Sequence, residues 1–125
     1  MSPNVQLSVD GKNLELQLDE CELTEKLLEA IPFDTRLSTW GDEIYFPVPV
    51  EVDSDGLTDE VEVGDVAYWP EGQSLAVFFG PTPKSEDDGQ PVPADDVKVC
   101  GQVQSGIDRL SNLEAGDEIT LRTDA

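Results

Sequence analysis

The stretch Gly64-Asp-Val-Ala-Tyr-Trp-Pro-Glu-Gly-Gln-Ser-Leu-Ala-Val-Phe-Phe-Gly-Pro-Thr-Pro83 constrains the fold more than any other part of the chain. Gly64-Asp65 turns into a strand from Val66 to Trp69, the residues from Pro70 to Gln73 reverse direction, Ser74 to Phe79 returns, and Gly80-Pro81 ends the strand. On the return strand Leu75, Val77 and Phe79 share one face, while Ala76 and Phe78 share the other. A strand that is apolar on both faces has to be covered on both, which places this hairpin at the centre of the domain.

The rest of the chain reads as further strands around one helix. Val5 to Val9 alternates apolar and polar residues, Asp10-Gly11 is a hairpin turn, and Asn13 to Leu18 returns with Leu14, Leu16 and Leu18 on one face. The helix has Thr24 as its expected N-cap and Glu25 in its first turn. Leu23 and Leu28 occupy staple positions, Leu27, Leu28 and Ile31 form its apolar stripe, and Pro32 stops it. Phe33 to Trp40 resumes strand character, and the prolines of Pro47-Val-Pro-Val-Glu-Val52 mark an edge. Residues 53–60 and 83–96 are acidic loops. Val97 to Val103 is a strand with Val97, Val99, Gly101 and Val103 in alternation, Ile107 to Leu113 is a short helical turn, and Glu118 to Arg122 closes the sheet.

Gly-Asp followed by β-forming residues occurs at Gly41, Gly64 and Gly116, which is repeated turn chemistry and not a gene-level repeat. About eight short strands with one firm helix predict a mainly β fold: a closed antiparallel barrel with one or two short helices and no unprotected edge. At 125 residues the chain is expected to be one domain spanning residues 1–125.

The net charge is −21, with 28 carboxylates against 7 basic residues, and the acid is spread over the whole length. A hydrophobic fraction of 38%, gathered in patterned runs, argues against disorder. Mutual repulsion on this scale destabilises a compact state at low salt and is screened in molar salt, so the composition points to a cytoplasmic protein of a halophilic organism. An acidic surface for cations or basic partners is the rival explanation. Nucleic acid is not an expected partner, because the few Lys and Arg residues are scattered. The start Met1-Ser2-Pro3-Asn4 has neither a basic nor an apolar leader, and no apolar run is long enough to span a membrane.

No histidine is present, so Ser-His and Cys-His nucleophiles lack a base. Cys21 and Cys100 alone make neither a zinc site nor a disulfide framework, and no cofactor motif appears. Cys100 is expected to pack as a small apolar residue. Adjacent acids such as Asp42 and Glu43 point to opposite faces of a strand and so do not form a general acid–base pair.

Three spaced motifs, Trp40-Gly-Asp-Glu-Ile-Tyr-Phe46, Gly64-Asp-Val-Ala-Tyr-Trp-Pro70 and Phe78-Phe-Gly-Pro-Thr-Pro83, resemble a family of small prokaryotic proteins of cyclophilin-like fold. The helix Leu27-Leu-Glu-Ala-Ile-Pro32 and the segments Pro93-Ala94 and Val99-Cys-Gly101 share that resemblance, which covers roughly residues 5–122. It implies a closed, mostly antiparallel barrel capped by one or two helices. The related peptidyl-prolyl isomerases surround a substrate proline with an arginine and aromatic residues, with a histidine nearby. This chain lacks the histidine, and no isomerase motif surrounds Arg36.

The expected function is therefore a non-catalytic barrel that binds a small molecule or peptide in a pocket at the barrel mouth. Trp40, Glu43, Tyr45, Tyr68 and Thr82 are its candidate ligand-binding residues, and Trp69 joins them as an aromatic of the same motifs. Core packing is the competing explanation for the aromatics, and turn formation for Glu43 and Thr82. A divergent isomerase and a structural or protein-interaction domain are the alternative functions.

Overall fold

The computed structural model describes residues 4–9, 12–52, 56–86 and 89–123. The elements in chain order are β1 (Asn4–Val9), β2 (Lys12–Leu18), α1 (Glu22–Ala30), β3 (Phe33–Arg36), β4 (Ser38–Thr39), β5 (Glu43–Pro47), β6 (Asp65–Trp69), β7 (Ser74–Phe78), β8 (Lys98–Ser105), a 3-10 helix (Ile107–Asn112) and β9 (Glu118–Arg122). The strands form one sheet in the order β3-β9-β1-β2-β8-β6-β7-β5-β4, and every pairing is antiparallel. The two end strands are consecutive in the chain, separated only by the buried Leu37. The sheet thus curls into a nearly closed barrel, as a mainly β cyclophilin-like reading requires.

Alternation assigns each side chain to a wall face. Val5, Leu7 and Val9 of β1, Leu14, Leu16 and Leu18 of β2, and Ile119 and Leu121 of β9 point into the barrel, each at most 1% exposed. Leu75 and Val77 of the central strand join this interior, with Phe79 packed against it. Ala76 and Phe78 lie on the outside, in a second apolar cluster with Val61, Ala67 and Val97. Every residue of β7 is buried. Its doubly apolar pattern reflects a barrel interior on one side and a layer of covering loops on the other.

The Gly-Asp turns work as their repetition predicts. Gly64 and Gly116 both have φ of 95°, a region that penalises any residue with a Cβ. In each case the following aspartate folds back: the Asp65 and Asp117 carboxylates accept from the Glu62 and Glu114 N–H groups at 2.8 and 2.9 Å. The expected Asp10-Gly11 turn lies outside the described residues.

The structure differs from the sequence expectations at several places. The helix starts at Glu22 with Cys21 as its N-cap, so Thr24 sits inside the first turn and the Leu23/Leu28 staple is out of position. The buried Thr24 hydroxyl instead donates to the Asp19 carbonyl at 2.6 Å, tying the preceding turn to the helix. The Pro47 to Val52 segment is not a strand beyond Pro47: Val48 N–H still donates to the Gln73 carbonyl at 3.0 Å, and Val48, Val50 and Val52 enter the main core. The segment from Phe33 to Trp40 is split by Leu37 into two short strands, which raises the strand number to nine.

The strand after the long loop does not alternate uniformly. A bulge opposite the Val66–Ala67 step puts an extra residue, Cys100, between the partners Val99 and Gly101. Val99 therefore packs outside, while Cys100 and Val103 pack inside. Cys100 is a free thiol, 1% exposed, and burial raises its pKa.

Candidate functional site

The outer cluster leaves a hollow in the wall. Tyr45 of β5, Ala76 of β7 and Ala67 of β6 lie opposite one another across three adjacent strands. Two of these three are alanines, so the middle of the wall is low. Tyr45 and Trp69 meet edge to face over it, ring centroids 6.1 Å apart and planes at 89°. Glu43 shares the Tyr45 face and is paired in register with Phe78. Glu43, Tyr45, Trp69 and Ala76, with Trp40 before β5 and Pro93, Ala94, Asp95 and Val97 from the long loop and its end, line a cleft of about 200 Å³.

Each wall of the cleft is held by a specific local device. The turn carrying Trp40 and Glu43 closes with a Trp40 N–H to Glu43 carbonyl bond of 3.0 Å. It docks on the chain leaving β7 through Asp42 N–H to Pro81 O and Phe79 N–H to Asp42 O, both 2.9 Å. Gly41 makes this close approach possible: a Cβ there would fall 2.8 Å from Pro83 Cδ and 2.9 Å from the Thr82 Cα. The Trp69 indole lies against the hairpin turn at Gly72, where a Cβ would come within 2.3 Å of the indole carbons Cε3 and Cζ3.

The loop that supplies Pro93 to Asp95 is pinned by Thr82. The buried Thr82 hydroxyl donates to the Val92 carbonyl at 2.5 Å and accepts from the Val92 N–H at 3.3 Å. The Thr82 N–H donates to Ser85 Oγ at 2.8 Å, and that hydroxyl donates to the Gln90 carbonyl at 2.6 Å. Thr82 thus acts on the cleft through the loop and does not line it.

Two polar atoms on the cleft residues lack partners. Among the described residues, Glu43 Oε1 and Trp69 Nε1 are the buried side-chain atoms that make no hydrogen bond. Each such group costs about 1–3 kcal/mol in a folded protein. Glu43 is only 8% exposed, and burial pushes its carboxyl from the ordinary 4.5 to about 7. Near neutral pH the Glu43 side chain can therefore be a carboxylate or a carboxylic acid.

Of the residues singled out in the sequence, Trp40, Glu43 and Tyr45 come together here and Trp69 joins them. Tyr68 does not. It points into the barrel, is fully buried, and its hydroxyl donates to the Val50 carbonyl at 3.2 Å. The reason is alternation: neighbours on a strand face opposite ways, so Trp69 outside requires Tyr68 inside. The cleft also lies on the outer wall and not at a barrel mouth. The loop contributors Pro93, Ala94 and Asp95 carry no local site pattern; tertiary closure through Thr82 brings them to the cleft.

Arg36 stands apart on β3, where its guanidinium donates to the Gly116 carbonyl at 3.0 Å and lies 4.0 Å from the Glu118 carboxylate. Among the described residues no group of three or more Cys, Asp or Glu converges with metal-holding geometry, and no helix is long and apolar enough to cross a membrane.

A family model described as cyclophilin-like matches residues 3–122. Among solved structures, the solution structure of a hypothetical protein from Archaeoglobus fulgidus is similar, with a TM-score of 0.81 and 30% sequence identity. That match covers 97% of this chain and 94% of the archaeal one. No curated protein matches the chain.

Proposed function

This chain belongs to the cyclophilin-like family, and on that footing we propose that it is a binding barrel that takes a small organic molecule, or a side chain of a short peptide, in the outer-wall cleft. The observation that carries this reading is that two residues lining one apolar cleft, Glu43 and Trp69, each hold a buried polar atom without a partner, Oε1 and Nε1. Two polar groups left unsatisfied beside rings that cover apolar surface suit a guest that satisfies both while burying its own apolar body. The site offers binding groups without a nucleophile–base pair, which favours a binding role over a catalytic one. The high-salt cytoplasmic setting belongs to the same proposal and rests on the charge of −21.

The test is a heteronuclear NMR titration with a fragment set of phenols, alkylamides, alcohols and alkylamines. A binding fragment is expected to move the Trp69 indole N–H resonance together with the amides of Tyr45, Ala76 and Ala94. Shifts gathered instead on Arg36 and Glu118, or no shift from any fragment, would reject the cleft as a binding site.

A further inference from the structure

Taking the cleft as a binding site, we infer that its ligand class is the organic cation: an amine or alkylammonium group seated among the rings of Trp40, Tyr45 and Trp69 and directed to the Glu43 carboxyl. An acceptor on the same molecule, such as a hydroxyl or carbonyl oxygen, then satisfies the Trp69 N–H.

Three independent features select a cation over other guests. The first is the ring count: three aromatic side chains line one cleft of about 200 Å³, and the negative faces of aromatic rings attract ammonium groups strongly once water is excluded. The second is the buried Glu43 carboxyl with an unpartnered oxygen: an ammonium group beside it favours the ionised form and donates to it. The third is the surrounding charge. Asp95 adds a second acid to the lining, no lysine or arginine lines the cleft, and the nearby Lys84 ammonium is tied to the Ala94 carbonyl at 3.3 Å. An anionic guest would face Glu43, Asp95 and a protein of net charge −21.

The aromatic walls also answer the problem of selectivity in concentrated salt. Long-range attraction is then screened to a few ångströms and acts alike on potassium and sodium. Contacts with desolvated rings survive screening, and they favour an apolar, weakly hydrated organic cation over a small inorganic one.

The experiment uses one body with three head groups: phenethylamine, phenethyl alcohol and phenylpropionate. Trp40 and Trp69 are the only tryptophans and both line the cleft, so tryptophan emission, excited above the tyrosine band, reports on this site. Titrations are run at about pH 8, above the Glu43 value of about 7, in molar potassium chloride. The amine is expected to bind about tenfold or more tightly than the alcohol, and the carboxylate not at all. In Glu43→Gln, which keeps size and removes the charge, the amine-to-alcohol ratio should fall toward one. If alcohol and amine bind equally in the parent protein, the cation inference fails while the cleft remains a binding site. If Glu43→Gln leaves the ratio unchanged, the assignment of Glu43 as the cation's partner fails. If none of the three compounds, nor choline as a fully alkylated head group, alters the emission, both the cation inference and the binding reading fall.

Discussion

The Trp69 indole stands perpendicular to the Tyr45 ring, at 89° and 6.1 Å between centroids, although the two residues belong to strands that do not pair with each other. They meet diagonally over β7, where Ala76, the register partner of Tyr45, is small and Trp69 itself is opposite Ser74. Behind the indole, Gly72 leaves room that a methyl group would fill, at 2.3 Å from two ring carbons. Gly72→Ala should therefore push Trp69 toward Tyr45 and narrow the cleft. We expect a stability loss of about 1–3 kcal/mol, typical of forced overpacking. The near-UV circular dichroism of the tryptophans should change with it. A variant with unaltered spectrum and melting point would mean that the indole does not rest on this turn.

Thr82 supports the cleft from a distance. Its hydroxyl makes two hydrogen bonds to Val92, and Thr82 is not among the residues that line the cleft. Thr82→Val keeps the shape and deletes both bonds, leaving the Val92 carbonyl and N–H without this partner. The expected cost is about 1–3 kcal/mol. Hydrogen exchange at the Val92 amide should accelerate, while exchange within β1 and β2 should not. Equal acceleration in both places would indicate global loosening and no specific pin on the loop.

These two residues also show how far the sequence was legible. The doubly apolar face of Leu75 to Phe79 was enough to place β7 between two apolar layers, and strict alternation in β1, β2 and β9 was enough to place the barrel interior. The same alternation excludes Tyr68 from any site that contains Trp69, yet as motif aromatics the two look equivalent. The bulge at Cys100 left no mark in the local pattern, because Val, Cys and Gly fit either face of a strand. Thr82 between two prolines reads as a rim residue. Its actual role depends on Val92, ten positions away in a loop without periodicity, and no local pattern encodes that contact.

Isomerase activity makes a separate, sharper case. Uncatalysed proline isomerisation takes tens to hundreds of seconds. Arg36 lies on β3, bonded to Gly116 and outside the cleft lining, and the chain has no histidine. No acceleration of cis/trans exchange in a proline peptide is expected at micromolar protein. Acceleration that disappears in Arg36→Ala would favour the isomerase alternative over a binding barrel.

Glu43 should leave a signature in the pH dependence of stability. Its carboxyl titrates near 4.5 when solvated and at about 7 in the fold. Between those values the folded protein holds a proton that the unfolded chain has released. The contribution of this group is thus fully present below about pH 4.5 and is lost as pH rises through about 7. The penalty above that range is on the order of 3 kcal/mol. Glu43→Gln cannot ionise, so its stability relative to the parent should rise between pH 5 and about 8 and then level off. Melts of the two proteins in about 2 M potassium chloride, which screens the other acids, isolate the difference. A constant difference across that range would show the carboxyl to be solvated in the fold.

The remaining carboxylates act collectively. With 28 acids against 7 bases, folding draws like charges closer together than the unfolded chain holds them, so the folded state carries the larger repulsion. Among the described residues, Lys26 reaches Glu22 at 3.6 Å and Arg36 reaches Glu118 at 4.0 Å, all four side chains well exposed. Pairs of that kind contribute at most about 1 kcal/mol each. At 0.1 M salt the repulsion extends over about 10 Å, and in molar salt over about 3 Å. Thermal melts in potassium chloride should therefore show a higher midpoint at about 2–3 M than at about 0.1 M. Sodium chloride should match potassium chloride, because screening depends on charge and not on ion identity. Sulfate is unsuitable as the test salt, since it also strengthens apolar burial. A midpoint that stays level or falls with added chloride would reject the high-salt reading, and the acidic surface would then be better explained by a basic partner.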